Sequence, residues 1–307
     1  MAVAKKKKKK VTWFLSIFFS GCFVILITMV GGSSGGSVMT SEGEVQNRIN
    51  QQTSRLDEYL NNHSVQQEAL AKYALDEYSE RTENSAKGGD KYIRAIDPEL
   101  YDEKKESQTS NDKKENRPLD IKWDGYFIGY LMKMSGTDIS DWSYILSVFA
   151  TKLNNSNKLV LPDNYIPRKG DIVFFGKPLK NLSDGMTVKA KYCGVITNVE
   201  VITEKTEIQA MRITVIEGCV DPERVEGNLH LGLSYLKSYV YDLYENTENN
   251  HHGLSNETVP IMCYATVAED AEKPESTDDP QNRVDLVYQI KLKSTYEAAK
   301  NRLQRSE

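Results

Sequence analysis

The most apolar stretch of the chain is Val11–Val30, where twenty consecutive residues carry no charge. At about 1.5 Å per helical residue it spans about 30 Å, the hydrocarbon thickness of a bilayer. The six lysines of 5–10 precede it directly, and cationic residues beside a first apolar segment hold that end in the cytoplasm. We therefore predict a cytoplasmic basic tail over 1–10 and a single transmembrane helix over 11–31, with the rest extracellular. A cleaved signal peptide is the alternative, although its apolar core is usually only about 7–15 residues.

After the apolar segment the pattern becomes polar and only weakly periodic. A Gly/Ser-rich run opens the segment 32–63. Its apolar residues recur at Val45, Ile49, Leu56, Tyr59 and Leu60. That spacing predicts a weak amphipathic helix. We interpret 32–63 as a flexible tether followed by a helical stalk, which is a candidate for self-association.

A denser apolar pattern covers 64–268 and predicts the folded domain. The predicted helices are Val65–Glu80, Trp123–Met134 and Ile139–Leu153. The predicted strands, rich in alternating and β-branched apolar residues, are 171–175, 192–201, 211–217, 240–244 and 260–267. Helices first and antiparallel strands afterwards predict an α+β fold rather than a doubly wound sheet. Within the domain, 102–117 is almost wholly charged or polar and is predicted to be a disordered or exposed loop.

The last part of the chain, 269–307, is predicted to be an acidic linker followed by a helix. Asp279-Pro280 is a candidate cap and first turn for that helix. Its apolar stripe is broken, with members at Val284, Val287, Leu292, Tyr296 and Leu303. A surface helix at the chain end is the simpler interpretation, and a partner-binding helix is the alternative.

Charge and cysteine content exclude several classes of function. The formal net charge is −5, and because the lysines of 5–10 contribute +6, the remaining chain carries −11. Such an acidic ectodomain is unsuited to nucleic acid, which requires clustered cations. Outside the apolar segment the cysteines are Cys193, Cys219 and Cys263, an odd number with wide spacing that predicts no disulfide framework. No cysteine or histidine group has zinc spacing, so we predict neither a metal nor a cofactor.

One segment carries a specific motif. Residues 165–175 read YIPRKGDIVFF, in which Gly170 permits a turn and Asp171 can hydrogen-bond back into it before the apolar run enters a strand. This segment resembles the strand entry of the CHAP family, the cysteine- and histidine-dependent amidohydrolases and peptidases. Upstream, a helix followed by the turn Gly88–Tyr92 is similar to the entry of a CHAP subgroup in Gram-positive bacteria and their mobile elements.

Three further segments resemble conserved segments of the family. Together with 165–175, they occur along the chain in the same order as in the family. They are Trp123-Asp124 at the start of an apolar helix, Tyr192–Ile196 in place of a His-x-Gly-Ile-Val strand, and Ile216–Cys219 in place of a strand ending in Glu-Gly-Asn. The resemblance implies a papain-like α+β fold over 64–268, with N-terminal helices packed on an antiparallel sheet.

The catalytic positions of the family are not kept in this chain. The resemblance places the nucleophilic cysteine at Asp124 and the histidine base at Tyr192. The orienting Glu217 is retained, while the following asparagine is replaced by Cys219. Aspartate is a weak nucleophile toward amides, and tyrosine near neutral pH does not act as the paired base. The resemblance therefore implies a degenerate cleft in which none of these four positions forms an intact catalytic site.

Strand parity bears on whether another thiol replaces the lost nucleophile. Because side chains alternate along a strand, Cys193 is predicted to face away from Tyr192, and Cys219 to share a face with Glu217. Cys219 is thus the candidate for a relocated nucleophile, although His230 lies on a polar loop and has no assigned role. We favour the interpretation that both thiols are small packing residues.

Together with the predicted anchor over 11–31, the resemblance implies a membrane-anchored, extracellular pseudoenzyme of the Gram-positive cell envelope, in a cell-wall or conjugation apparatus. Its partners would be peptidoglycan or envelope proteins, with Tyr126 or Trp142 as candidate contacts to a sugar or peptide if they are not simply core. Two alternatives stay open. The first is an active peptidoglycan amidase or endopeptidase with relocated catalytic residues. The second is a scaffold subunit of an envelope complex.

Overall fold

The part of the chain that the structure, a computed structural model, describes comprises residues 56, 58–81, 86–162, 165–204, 207–225, 227–243 and 259–266. All of these residues lie in one structural unit, Ile49–Glu307. The predicted basic tail, transmembrane helix, and acidic linker with its C-terminal helix lie outside the described residues, as does most of the predicted tether and stalk. Of the helices within the described ranges, none is long and apolar enough to cross a membrane.

The helices come first along the chain. After helical residues at 56 and 58–61, the described elements with defined bounds are α1 (Val65–Glu80), α2 (Asp90–Ile96), α3 (Pro98–Ser107), α4 (Ser110–Lys114), α5 (Asp124–Met134) and α6 (Leu146–Asn155). Helix α1 begins at a capping box, in which Ser64 and Gln67 exchange side-chain-to-backbone hydrogen bonds of 2.9 and 3.1 Å. The predicted bounds of α1 and the predicted helix at 123–134 are confirmed.

Two predictions about helical segments are wrong. The segment 102–117, predicted as a disordered or exposed loop, contains most of α3 and all of α4. No residue of α3 is buried, so its polarity marks an exposed helix, which begins with Pro98 in its first turn and the Asp97 cap. The helix predicted from Ile139 begins only at Leu146, because the preceding loop turns at Asp138, whose carboxylate accepts the Ser140 N–H at 2.9 Å.

Within the described ranges, the strands form a six-stranded sheet and a separate hairpin. Their bounds are β1 (Leu159–Val160), β2 (Ile172–Gly176), β3 (Ala190–Glu204), β4 (Glu207–Val220), β5 (Glu223–Val225), β6 (Asn228–His230), β7 (Tyr235–Leu243) and β8 (Ile261–Ala265). The sheet order is β1-β8-β2-β3-β4-β7, with β5 and β6 paired to each other, and every pairing is antiparallel. The predicted α+β class with an antiparallel sheet is confirmed.

The sheet is apolar on both faces. On one face, which we call the helix-side face, alternate residues such as Phe174, Cys193 and Ile216 belong to the same buried cluster as α1, α2, α5 and α6. The residues between them point to the other side and form what we call the second face. Its buried members include Val173, Phe175, Ile196, Ile213 and Val215. Strand alternation therefore sorts the apolar residues into two separate clusters.

Candidate functional site

The N-terminus of α5 holds a buried carboxylate. Asp124 is the first residue of the helix and is only 3% exposed. Its Oδ2 lies 3.0 Å from Lys122 Nζ, and its Oδ1 accepts the Gly125 N–H at 2.9 Å. Burial raises the pKa of the Asp124 carboxyl, and the Lys122 ammonium, the Gly125 N–H and the positive end of the helix dipole oppose that rise. The position therefore pairs a buried carboxylate with a partly exposed ammonium group.

Lys122 links this carboxylate to strand β3. Its Nζ donates to the Lys191 carbonyl at 2.6 Å and lies 5.2 Å from the centroid of the Tyr192 ring. Burial alone would lower the pKa of Lys122, but the Asp124 carboxylate outweighs it, so the pKa is raised. Two of the predicted cleft positions, Asp124 and Tyr192, are thus both in contact with the Lys122 ammonium group. Lys122 is not predicted from the apolar pattern, although a lysine two residues before a carboxylate at a helix start indicates a possible ion pair.

Two thiols lie beside the ion pair on the helix-side face. Cys193 and Cys219 are 1% and 2% exposed. Burial raises the pKa of Cys219 to about 12 and that of Cys193 well above its ordinary value, and the nearby Asp124 charge acts in the same direction. Cys219 Sγ also accepts a hydrogen bond from Ser234 Oγ at 3.4 Å. Reactive thiols have lowered pKa values, so both groups are protonated packing residues at neutral pH.

The described histidines lie near carboxylates rather than near thiols. His63 Nε2 lies 2.6 Å from Glu68 Oε2, and His230 Nδ1 lies 3.8 Å from Asp120 Oδ2. An activated thiol needs a base within hydrogen-bond reach. The contacts of these two histidines therefore do not provide one for Cys219.

The predicted shared face of Glu217 and Cys219 is wrong. Glu217 is buried among the second-face residues, where it accepts a hydrogen bond from the Tyr241 hydroxyl, while Cys219 belongs to the helix-side cluster. The ladder between β4 and β7 shifts between Glu217 and Val220, and Cys219 has a φ of +60°. This bulge adds a residue and reverses the parity. The prediction that Cys193 faces away from Tyr192 is confirmed, because they belong to different clusters.

The four predicted cleft positions therefore do not form one cleft. Asp124 and Cys219 lie on the helix-side face, whereas Tyr192 and Glu217 belong to the second face. The β3 side chain that faces α5 is Cys193, one residue after the position that the resemblance gave to the base. The bulge that separates Glu217 from Cys219 has no signature in the alternation of apolar residues, so the sequence could not reveal it.

Trp123 fixes the start of α5. Its Nε1 donates to Ser234 Oγ at 2.8 Å, and its ring stacks on Tyr92 with centroids 5.5 Å apart. Glycines permit this packing, because a Cβ at Gly89 would lie 2.2 Å from Trp123 Cγ and one at Gly218 would lie 2.7 Å from its Cζ3. The Gly-Gly turn and the tryptophan noted in the sequence therefore belong to one packing unit.

The Gly170-Asp171 motif is a structural clamp. Asp171 is fully buried, and its carboxylate accepts four hydrogen bonds of 2.7–3.0 Å. The donors are Gln67 Nε2, Tyr165 OH, the Arg168 N–H and Thr266 Oγ1. Gly170 has a φ of +86°, and a Cβ there would lie 2.2 Å from the Gln67 carbonyl oxygen. The motif therefore joins α1 to the entry of β2 and takes no part in the α5 site.

Exposed apolar side chains lie next to the α5 N-terminus. Tyr144, Ile145 and Val148, which we call the 144–148 patch, are 47%, 48% and 42% exposed. Tyr144 stacks on Tyr126 with centroids 5.2 Å apart and an interplanar angle of 10°. Tyr126 itself is fully buried and Trp142 is half-buried, so of the two proposed ligand contacts Tyr126 is core. Tyr144 is exposed instead, and its position was not predictable because the apolar pattern over 139–153 favours a helix.

The described residues contain no group of three or more histidine, cysteine, aspartate or glutamate side chains that could hold a metal ion. Comparisons of the chain with protein-family models, with curated proteins and with solved structures found no match. The class that the structure itself defines is an α+β protein with helices on an antiparallel sheet. The resemblance to the CHAP family stays a prediction.

Proposed function

We propose that the chain is a membrane-anchored extracellular domain of CHAP type that has lost catalysis and serves as a binding module for peptidoglycan or an envelope protein. The observation that carries this proposal is the N-terminus of α5. There the position that the resemblance gives to the nucleophile holds Asp124, buried and paired with Lys122 at 3.0 Å. A carboxylate engaged in this way is not an attacking group for amides.

The size of the catalytic loss supports the absence of hydrolysis. A thiolate–imidazole pair supplies both the nucleophile and the proton transfers, and general acid–base transfer alone contributes about 10²–10⁴-fold. In a serine protease, loss of either the nucleophile or the base costs about 10⁶-fold. Neither Asp124 nor Tyr192 replaces these groups, so we expect no useful hydrolysis.

The nearby thiols do not restore the chemistry. With its pKa raised to about 12 by burial, Cys219 is ionised in only about one molecule in 10⁵ at pH 7. It is also 2% exposed, so a polymeric substrate does not reach it. An active hydrolase with a relocated thiol is therefore the weaker alternative.

Two observations support a binding role. The resemblance implies a peptidoglycan ligand, because the catalytic members of the family act on the cell wall. The 144–148 patch places three exposed apolar side chains within five residues of the chain, and exposed apolar side chains close together are typical of sites for a protein partner. One experiment separates these two ligands.

The experiment uses the full-length chain in detergent micelles, incubated with purified wall sacculi. We expect the protein to sediment with the sacculi while soluble muropeptides stay at the level of the buffer. Muropeptide release that disappears in Cys219→Ser would contradict the proposal and favour the relocated thiol. If the chain stays in solution and chemical cross-linking in cells captures an envelope protein instead, the ligand is protein and the scaffold alternative gains support.

Variants of the 144–148 patch make the binding test specific. Tyr144→Ala removes an exposed aromatic side chain next to α5, and we expect it to weaken sedimentation or cross-linking by about tenfold, the effect of an important interface residue. Val240→Ala is the matched control, because Val240 is 64% exposed on β7 and is not part of the patch. Equal binding by both variants would remove the patch from the proposal.

A further inference from the structure

The surface beside the 144–148 patch is basic, although the chain as a whole is acidic. Residues 142–153 and 188–192 contain three lysines and no aspartate or glutamate. Outside the lysines of 5–10, by contrast, the chain carries −11. The contacts between these two ranges decide whether the lysines belong to the same surface as the patch.

Two hydrogen bonds hold the second of these ranges against α6. Ser147 Oγ donates to the Ala190 carbonyl at 3.3 Å, and Thr151 Oγ1 accepts the Val188 N–H at 3.0 Å. Ser147 and Thr151 are four residues apart, so they lie on the same side of the helix. Lys189 lies between the two anchored residues, and it is exposed. Its backbone is therefore fixed beside the first two turns of α6.

Lys152 extends the patch along α6 itself. It follows Val148 by four residues, a spacing that puts two side chains next to each other on a helix surface. Both side chains are exposed. Lys152 Nζ donates to the Trp142 carbonyl at 3.5 Å, so the ammonium group lies toward the loop that contains Tyr144.

Lys122 adjoins the patch through the start of α5. The Tyr144 carbonyl packs on Gly125, where a Cβ would lie 2.4 Å from that oxygen, and Gly125 follows the Asp124 that pairs with Lys122. The Lys122 side chain is 38% exposed, so part of it is open to solvent. We call Lys122, Lys152 and Lys189 the lysine border.

Nearby carboxylates do not neutralise the lysine border. Asp141 is paired with Lys158 at 2.9 Å, and Asp184 lies in a loop that is hydrogen-bonded to the last turn of α6. Within the described ranges, no carboxylate lies within ion-pair distance of Lys152 or Lys189. The patch therefore has a cationic rim.

We propose that the 144–148 patch and the lysine border form one docking surface for an acidic segment of a partner protein, in which carboxylates alternate with large apolar side chains. This inference rests on the binding role under the proposed function and specifies the chemistry of the protein ligand. The patch receives the apolar side chains, and the lysine border attracts the carboxylates. An apolar centre with a charged rim is the usual arrangement of a protein interface.

The composition of the surface favours a protein segment over an anionic polymer. A polymer of phosphate groups carries charge for the lysine border, but it has no apolar side chains to cover Tyr144, Ile145 and Val148. Those three side chains would stay exposed to water, and the free energy of burying them would be lost. A segment that carries both carboxylates and apolar side chains satisfies both parts of the surface.

Fluorescence anisotropy with three labelled peptides tests the proposal. The full-length chain is kept in micelles of an uncharged detergent, and micelles without protein provide the blank. The first peptide alternates glutamate with leucine, the second has lysine for each glutamate, and the third has serine for each leucine. We expect the first peptide to bind about tenfold more tightly than the other two, and to lose affinity as added salt screens the charges.

Charge reversal at the lysine border makes the test specific. Lys152→Glu combined with Lys189→Glu should weaken binding of the glutamate–leucine peptide by about tenfold, because two attractive contacts become repulsive. This variant should also bind the lysine–leucine peptide more tightly than the native chain does, a gain that loss of structure would not produce. Glutamine at the same two positions gives a smaller change if the glutamate variant does not fold.

A control variant changes the net charge equally but elsewhere. Lys72→Glu combined with Lys113→Glu alters two exposed lysines, one on α1 and one on α4, which are not part of the lysine border. We expect it to bind all three peptides as the native chain does. Equal weakening by the control and the border variant would overturn the proposal, because the attraction would then come from net charge alone.

Three further results would overturn the proposal. The first is no binding of the glutamate–leucine peptide, and the second is equal affinity for all three peptides. The third is inorganic polyphosphate that binds as tightly as the first peptide and is unaffected by Tyr144→Ala, which would identify an anionic polymer as the ligand. Sedimentation with sacculi without peptide binding would remove this inference alone. Failure of sacculus binding, envelope-protein cross-linking and peptide binding together would remove the proposed binding role as well.

Discussion

At the scale of single residues, the N-terminus of α5 holds a carboxylate in a structural role. A helix N-terminus favours a negative group, and here the Asp124 carboxylate takes that place together with the Lys122 ammonium. Because the side chain of Lys122 is still 38% exposed, the pair is accessible to solvent on one side only. Its contribution is therefore to the free energy of unfolding and to the alignment of the helix.

Removal of this carboxylate should be costly. We expect Asp124→Ala to lower the free energy of unfolding by about 1.5–3 kcal/mol, because Lys122 and the Gly125 N–H both lose a charged acceptor. Urea unfolding of the full-length chain in micelles measures the change. Asp184→Ala is the control at an exposed carboxylate, with an expected change within about 0.5 kcal/mol. Equal stability of the two variants would show that the ion pair contributes nothing.

The buried thiol predicts a pH dependence of stability. In the unfolded chain Cys219 loses its proton near its usual pKa of 9, whereas burial keeps it protonated up to about 12 in the fold. The folded state therefore binds more protons in this window, and its stability falls as pH rises through it. The stability difference between the native chain and Cys219→Ala should shrink by about 1.4 kcal/mol per pH unit above pH 9. The free energy of unfolding of Val240→Ala should instead change with pH in the same way as that of the native chain. If Cys219→Ala also showed the same pH dependence as the native chain, the burial of the thiol would be contradicted.

At the scale of elements, the Gly170-Asp171 clamp sets where β2 begins. Gly170→Ala combines a φ of +86° with a Cβ 2.2 Å from the Gln67 carbonyl oxygen, so it should displace α1 as well as strain the backbone. Gly185 offers a matched control, since its φ is +73° but nothing lies within 4 Å of its Cβ position. We expect Gly185→Ala to cost about 1–2 kcal/mol from strain alone, and Gly170→Ala to cost a further 1–3 kcal/mol or so from overpacking. If thermal unfolding shows that the two variants lose similar amounts of stability, then α1 moves away from the new Cβ at no energetic cost.

The elements also show what the sequence can and cannot predict. Five of the eight described strands were predictable, because each face of the sheet takes every second residue, as with Val173 and Phe174. The prediction missed the short strands β1, β5 and β6, and it began β7 at 240 although that strand begins at Tyr235. Helix α3 was not, because its apolar side chains are limited to Pro98, Leu100 and Tyr101, of which the last two are only partly buried against the helix-side cluster. The rest of the helix is polar and makes surface contacts such as the 2.8 Å ion pair between Lys105 and Asp90. The bulge at Glu217–Val220 was also hidden, since it depends on one left-handed residue, Cys219. The geometry of the site therefore depends on the conformation of single residues, which tertiary contacts determine.

At the scale of the whole molecule, the orientation across the membrane stays a prediction from the lysines of 5–10 and the apolar residues 11–31. Protease added to intact cells without an outer barrier should remove the domain over 64–268, because it is expected on the outer side. Cells opened by detergent provide the control, in which the basic tail also becomes accessible. Full protection of the domain in intact cells would show that the orientation is reversed.

The packing around Trp123 has an optical consequence. The chain contains three tryptophans, and the indole of Trp123 is 1% exposed, stacked on Tyr92 and hydrogen-bonded to Ser234. An indole in dry surroundings emits at shorter wavelength than one in water, and an adjacent phenol ring transfers its excitation to it. The α5 N-terminus thus contains its own fluorophore, so opening of this site by heat, denaturant or a bound partner is visible as a red shift without an attached dye.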